Sequence, residues 1–187
     1  MKHLTMKYVP VYVVDWNYPT QIHVGPGRRV ELADYCQSLK IQRPLIVTDR
    51  MLLGLPLVQE VLAALSAAGL APGVFSEVNG NPTGSEVGAG CQAYRAGGHD
   101  GVLAIGGGSA MDVGKTIAVM AHQRCALFDL EDIGDQWQRA DASVIQPIIA
   151  VPTTAGTGSE VGRAALIKET ETTRKVIIFH PQMLPKI

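Results

Sequence analysis

The sequence predicts an α/β fold: an open, mainly parallel sheet with helices on both faces, carrying β-hairpin-like additions at its N- and C-terminal ends. Three observations lead there. The 187 residues amount to one generous domain. Twenty glycines and eleven prolines punctuate the chain at regular intervals. Between them the hydrophobic period switches repeatedly between short β-rich runs and longer helical ones, the alternation expected of βα units.

Taken in order, Val11-Tyr12-Val13-Val14 and Gln21-Ile22-His23-Val24 read as an opening pair of strands, and Gly25-Pro26-Gly27 introduces a first helix over residues 28–39. Pro44-Leu45-Ile46-Val47-Thr48 is a compact buried strand. Residues 57–68 place Leu57, Val61, Leu62 and Leu65 on one helical face, with Gly69 as the stop. Val74-Phe75-Ser76-Glu77-Val78 is the next strand, and residues 82–97 form a helix opened by Thr83. Gly101-Val102-Leu103-Ala104-Ile105 is apolar on both faces, as a central parallel strand should be. A helix over residues 109–122 follows it. Residues 124–146 loosen into an acidic surface loop around Asp129, Glu131, Asp132, Asp135 and Asp141. Pro147-Ile148-Ile149-Ala150-Val151-Pro152 returns to the core. Two further strands, Ala164-Ala165-Leu166-Ile167 and Lys175-Val176-Ile177-Ile178-Phe179, flank an exposed turn.

Composition narrows the function. Sixteen Lys+Arg against seventeen Asp+Glu give a net charge of −1, which provides no basic field for nucleic acid. No apolar run reaches the roughly 18–20 residues of a membrane span, and the first residues lack the apolar centre of a signal peptide. A cytoplasmic protein is expected. Cys36, Cys91 and Cys125 are odd in number, widely spaced and without a C-x-x-C pair, so buried thiols are expected.

The sharpest local signal is Ile105-Gly106-Gly107-Gly108-Ser109-Ala110-Met111-Asp112, a buried strand passing through three glycines directly into a helix. Glycines let a ligand approach backbone N–H groups, and a new helix offers unpaired donors and the positive end of its dipole. That describes a diphosphate cradle. A plain strand-to-helix turn, with Ser109 as N-cap and Asp112 as its capping-box partner, is compatible with the same residues. Common motifs fail nearby: Met111 stands where a dinucleotide fingerprint has its third glycine, and Ser109 where a P-loop ending in Gly114-Lys115-Thr116 would begin. A second polar loop, Pro152-Thr153-Thr154-Ala155-Gly156-Thr157-Gly158-Ser159-Glu160, follows the next core strand. It can direct hydroxyls and N–H donors into the crevice where open parallel sheets bind ligands, or serve as an ordinary hydroxyl-rich turn.

Residues 106–115 match the pattern GGGSxxDxxK and residues 152–160 match PTTxGTGSE. The ordered pair resembles the N-terminal cofactor-binding domain of the iron-containing (group III) alcohol dehydrogenase family, from about Tyr18 to the last residue. The resemblance implies a Rossmann-like nucleotide-binding domain over residues 1–187. It also implies an NAD site: Asp49 facing the adenosine ribose, Asn81 near the cofactor, Gly107, Gly108 and Ser109 on the diphosphate, Asp112 toward the nicotinamide, Thr153, Thr154 and Thr157 from the second loop, and Lys175 on a ribose. A carboxylate at position 49 favours NAD over NADP, because it repels a 2′-phosphate. Family members often carry a hydroxyl residue where this chain has Gly162.

The implied reaction is reversible hydride transfer between a small alcohol or aldehyde and NAD, with a divalent metal, iron or zinc, binding the alcohol oxygen. In the family an Asp and three His of a helical second domain hold that metal. That domain begins about where this sequence stops, and none of His3, His23, His99, His122 or His180 matches a metal position. The expectation is a cofactor half that binds NAD weakly and turns over no alcohol alone. Apolar surface left for docking makes a homo-oligomer the expected state. The alternatives are a non-catalytic nucleotide-binding module and a relative of glycerol dehydrogenase or dehydroquinate synthase.

Overall fold

A computed structural model of the chain describes residues 19–187. Its elements run in the order α1 (Leu32–Ser38, entered through a 3-10 turn at Arg28–Glu31), β1 (Pro44–Val47), α2 (Arg50–Leu53), α3 (Pro56–Ala67), β2 (Gly73–Phe75), α4 (Gly84–Ala96), β3 (Gly101–Gly106), α5 (Gly108–Met120), β4 (Ile148–Pro152), β5 (Ala164–Lys168) and β6 (Lys175–Phe179). The first four strands form one parallel sheet in the order β2-β1-β3-β4. The last two form a separate antiparallel hairpin, Ala164 opposite Phe179 and Lys168 opposite Lys175.

Side chains alternate across a strand, so a sheet covered on both faces should sort its residues into two cores. It does. Leu45, Val47, Val102, Ala104 and Ile148 join the core built with α4 and α5, through Val87, Cys91, Tyr94, Met111, Val113 and Ile117. Ile46, Leu103, Ile105 and Ile149 join the opposite core, with Leu32 and Cys36 of α1 and Val58, Val61 and Leu65 of α3. The hairpin packs onto the first core through Ala165, Ile167, Val176 and Ile178.

Helix α5 lies unusually close to the sheet because Gly114 faces it. A Cβ there would stand 2.8 Å from Ala104 Cβ and 3.3 Å from Val102 Cγ1. At the start of α4, the Thr83 hydroxyl accepts from the Glu86 N–H while Glu86 reaches back to the Thr83 N–H, a complete capping box.

Several sequence expectations are corrected. Gln21-Ile22-His23-Val24 is not a strand: Gln21 N–H donates to Lys186 O (2.9 Å), and Ile22 and Val24 face solvent. The expected N-terminal hairpin is therefore absent among the described residues, and its other half, residues 11–14, lies outside them. The strand begun at Val74 ends at Phe75, whose carbonyl takes the Thr48 N–H. Helix α2 was not foreseen. It is a single turn whose N-cap is Asp49, the carboxylate accepting from Leu52 N (2.8 Å). Residues 124–146 contain three 3-10 turns, and Leu130 among them is fully buried in the first core.

Ser109 is not an N-cap either. Gly107 holds that position and α5 starts at Gly108, so Asp112 sits too far along the helix to reach back. Cys36 and Cys91 are buried, and burial pushes each thiol up to about 11, while Cys125 is half-buried.

Candidate functional site

Because β3 and β4 are neighbours in register, with Gly106 opposite Pro152, the two glycine-bearing loops leave the sheet side by side. Thr153 N–H donates to Gly106 O (2.9 Å), tying them together at the base. Gly106 has φ 151, and a Cβ on it would meet Ala110 Cβ at 2.7 Å, so only glycine makes this turn into α5. Further out the loops nearly touch. A Cβ on Gly107 would stand 3.3 Å from Thr154 Oγ1, and one on Gly108 2.8 Å from Thr157 Cγ2.

Between the start of α5, the second loop and the outer face of the β5–β6 hairpin lies a cleft of about 440 Å³. Of the residues singled out from the sequence, Asn81, Gly108, Ser109, Asp112, Thr157 and Lys175 line it. Gly107, Thr153 and Thr154 belong to the same two loops behind the rim. Asp49 stands apart, at the carboxyl end of β1, where one carboxylate oxygen is engaged in capping α2. Thr153, Thr154 and Thr157 are exposed.

The first turn of α5 opens on the cleft without a side-chain cap, its N-cap being Gly107. The leading N–H groups of a helix have no acceptor within the helix, and here none comes from the cap. The start of α4 is the internal contrast, since Thr83 and Glu86 close it off. An anion at the start of α5 would meet free donors and the positive end of a thirteen-residue helix. The far wall adds charge. Lys168 and Lys175 face each other across β5 and β6, both line the cleft, and neither ammonium has an ion pair or hydrogen bond among the described residues. Like charges placed directly opposite disfavour an antiparallel pair unless something negative lies between them. Leu166 and Ile177, also cross-strand partners, are 50% and 45% exposed and give the same wall an apolar patch.

Asp112 is more committed than the sequence suggests. Its Oδ1 accepts from Ser159 Oγ (2.6 Å) and its Oδ2 from Leu166 N (3.0 Å), so it joins α5 to the second loop and to β5. Lys115, one turn further along, is fully buried. Its ammonium donates to Ser159 O (3.0 Å) and to Ala164 O, lies 3.5 Å from Gly162 O, and stands 3.6 Å from Asp112 Oδ1. Gly162 has φ −99 and ψ 150, and a Cβ there would meet nothing closer than 3.4 Å, so a hydroxyl side chain would fit at this position. Three residues shape the site without having been singled out as part of it: Ser159, Lys115 and Lys168. The last two carry a signal that only the fold reveals, a buried cation and a like-charged cross-strand pair.

Among the described residues no group of three or more His, Cys, Asp or Glu is close enough to hold a metal ion. His180 is buried with Nδ1 accepting from Gln182 N, and burial lowers its pKa. His23 and His122 are exposed. No helix of the described residues is long and apolar enough to cross a membrane.

An open parallel sheet with an uncapped, glycine-turned helix start at a cleft beside its central strands defines a Rossmann-like α/β domain. The particular family follows from comparison. The profile of the iron-containing alcohol dehydrogenases matches residues 19–187, and the chain belongs to that family. It is 38% identical over 170 residues to the 4-hydroxybutyrate dehydrogenase of Cupriavidus necator, covering 90% of this chain and 43% of that protein. It is 34% identical over 163 residues to the lactaldehyde reductase of Escherichia coli K12, covering 87% of this chain and 42% of that one. Among solved structures, sulfoacetaldehyde reductase from Bifidobacterium kashiwanohense, in complex with NAD+, superposes with a TM-score of 0.81 at 30% identity, over 94% of this chain and 45% of that one. The chain thus spans less than half the length of each of these relatives.

Proposed function

We propose that this chain is the NAD-binding half of a metal-dependent alcohol dehydrogenase, placing the cofactor's diphosphate at the start of α5 and its nicotinamide end along the β5–β6 wall. The observation that carries the reading is the uncapped first turn of α5, with Thr157 packed beside it, opening on a cleft that also presents two unpaired lysines. Gly107 allows the backbone to approach, while the N–H groups of Gly108 and Ser109 donate to the diphosphate. Thr157, packed beside Gly108 and followed in the same loop by the cleft-lining Gly158 and Ser159, borders the site together with Thr153 and Thr154. Lys175 reaches a ribose hydroxyl, and Lys168 beside it balances the cofactor's negative charge. Asn81, held with φ 58 at the rim, adds a side-chain amide. Asp112 keeps a lone pair on Oδ2 for the nicotinamide end, while Oδ1 faces the Ser159 hydroxyl and the Lys115 ammonium and Oδ2 holds Leu166 N. Asp49 accepts from the adenosine ribose 2′-hydroxyl with the oxygen that does not cap α2, which disfavours a 2′-phosphate.

When bound, NAD supplies a hydride acceptor at the nicotinamide ring, and a metal would favour the alkoxide from which hydride leaves. Among the described residues no donor cluster fits that metal. The substrate class that fits the family is a small alcohol or aldehyde, handled in the cytoplasm by a homo-oligomer. Titration of the 187-residue chain with NADH, read by nicotinamide fluorescence and calorimetry, should give saturable one-site binding. No heat and no fluorescence change at millimolar NADH would overturn the cofactor assignment. The chain should not reduce NAD in the presence of alcohol and divalent metal, and metal-dependent turnover would contradict the assignment of this chain as a cofactor half.

A further inference from the structure

The cofactor reading leaves the buried ammonium of Lys115 unexplained. An unpaired charge does not persist in a protein interior, and this one is compensated by the carbonyls of Ser159 and Ala164, the more distant carbonyl of Gly162, and the Asp112 carboxylate. These groups come from three separate pieces of chain: α5, the 3-10 turn at Ser159–Val161 that closes the second loop, and the first residue of β5. All three border the cleft, through Ser109 and Asp112, through Gly158, Ser159 and Gly162, and through Ala164 and Leu166. The turn begins at Gly158 in the left-handed region (φ 66) and has no side-chain cap. Within the loop, Val161 N donates to Gly158 O, Gly162 N to Ser159 O and Ser159 N to Thr157 Oγ1 (3.3 Å). The turn is tied to α5 by the Ser159 hydroxyl on Asp112 Oδ1 (2.6 Å) and by the Lys115 ammonium on its carbonyls.

We propose that Lys115 is a positioning residue of the cofactor cleft: its ammonium fills a cage of backbone carbonyls and, with Asp112, clamps the second glycine loop and the start of β5 against α5, setting the distance from Thr157 to Gly108. The proposal rests on the reading that a nicotinamide dinucleotide occupies the cleft, but the clamp can be observed without that ligand. Burial pulls the lysine toward its neutral form and Asp112 opposes this, so the carboxylate also keeps the clamp charged. A methionine of similar length would pack in the same space but leave the carbonyls of Ser159 and Ala164 without a donor. The loop would then sample positions incompatible with the ligand, and apparent affinity falls in proportion to the fraction that remains competent.

The test compares wild type with Lys115→Met and Lys115→Ala. Hydrogen exchange in the ligand-free chain should speed up in residues 158–166 of Lys115→Met and stay unchanged in β1 and β3. NADH affinity should fall on the order of tenfold, as expected when about a tenth of molecules hold the competent loop. Ethylammonium or propylammonium should restore both properties in part to Lys115→Ala, a rescue that a general loss of stability would not give. Unchanged exchange in residues 158–166 together with affinity within twofold of wild type would overturn the proposal. Should the variants not fold, the ammonium of wild-type Lys115 is observable by nitrogen-15 NMR: a protonated, slowly exchanging Nζ resonance supports the clamp, and its absence overturns it. If wild type itself binds no NADH, the cofactor reading falls, and the exchange and NMR results alone decide the role of Lys115.

Discussion

Replacing Gly108 with alanine places one methyl group where the two loops meet. The new Cβ would stand 2.8 Å from Thr157 Cγ2 and 3.3 Å from Thr157 Cβ. Carbon atoms rest at roughly 3.5–4.0 Å, so the second loop must retreat by about 0.7–1.2 Å. Such overpacking costs about 1–3 kcal/mol in a well-packed interior, less here because residues 153–157 are exposed. Alanine returns up to about 1 kcal/mol through its better helix propensity. The net change in stability is therefore small, on the order of 0–2 kcal/mol, or a Tm lowered by up to about 8 °C in a domain of this size. The effect on ligand binding is larger, because the methyl group occupies the approach to the Gly108 and Ser109 N–H groups and a displacement near 1 Å breaks their geometry. NADH affinity should fall on the order of ten- to a hundredfold, measured by calorimetry alongside a thermal melt. A variant that binds NADH within twofold of wild type would refute the claim that these loops grip one ligand between them.

Further outcomes follow from other contacts. Asp49→Asn keeps a competent N-cap for α2, since the amide oxygen can still accept from Leu52 N. Tm should stay within about 2 °C while the ratio of NADH to NADPH affinity falls, as paired titrations would register. Gly114→Ala drives a Cβ to 2.8 Å from Ala104 Cβ beneath α5 and should destabilise the domain by about 1–3 kcal/mol in urea unfolding, far from any ligand contact. Glu31 is held down to about 2 from 4.5 by the Arg28 guanidinium and then by the Tyr35 hydroxyl. A carboxylate whose folded pKa is depressed contributes stability above its unfolded pKa and loses it as pH falls through the folded value. Acid unfolding should thus steepen between pH 4.5 and about 2, and Glu31→Gln should flatten that segment of the curve.

What the sequence made legible was whatever its residues state locally. A doubly apolar strand entering three glycines and a helix can only be β3 and α5, and the strand before the threonine loop had to lie near it. Thr83 announced the start of α4, and the structure adds Glu86, three residues on, as the second half of its cap. Other features depend on partners distant in sequence. Ile22 and Val24 alternate like a strand, yet the described residues offer that segment one backbone bond, to Lys186. Ser109 looks like a cap until the Met111 N–H bond to Gly107 O shows the helix starting earlier. Asp112 reads as a ligand-facing carboxylate, and its bonds to Ser159 and Leu166, 47 and 54 residues away, appear only once the hairpin folds over α5. Lys115 belongs to the same class: in the sequence it is one more lysine of a motif, and in the fold it is a buried cation gathering three stretches of chain.

The most direct measurement is the crystal structure of the chain grown with NADH. The cofactor's diphosphate should accept hydrogen bonds from the backbone N–H groups of Gly108 and Ser109 with Thr157 beside it, and the nicotinamide end should lie toward Leu166 and Lys175. A nucleotide bound elsewhere on the domain, with the start of α5 meeting only water, would contradict the account.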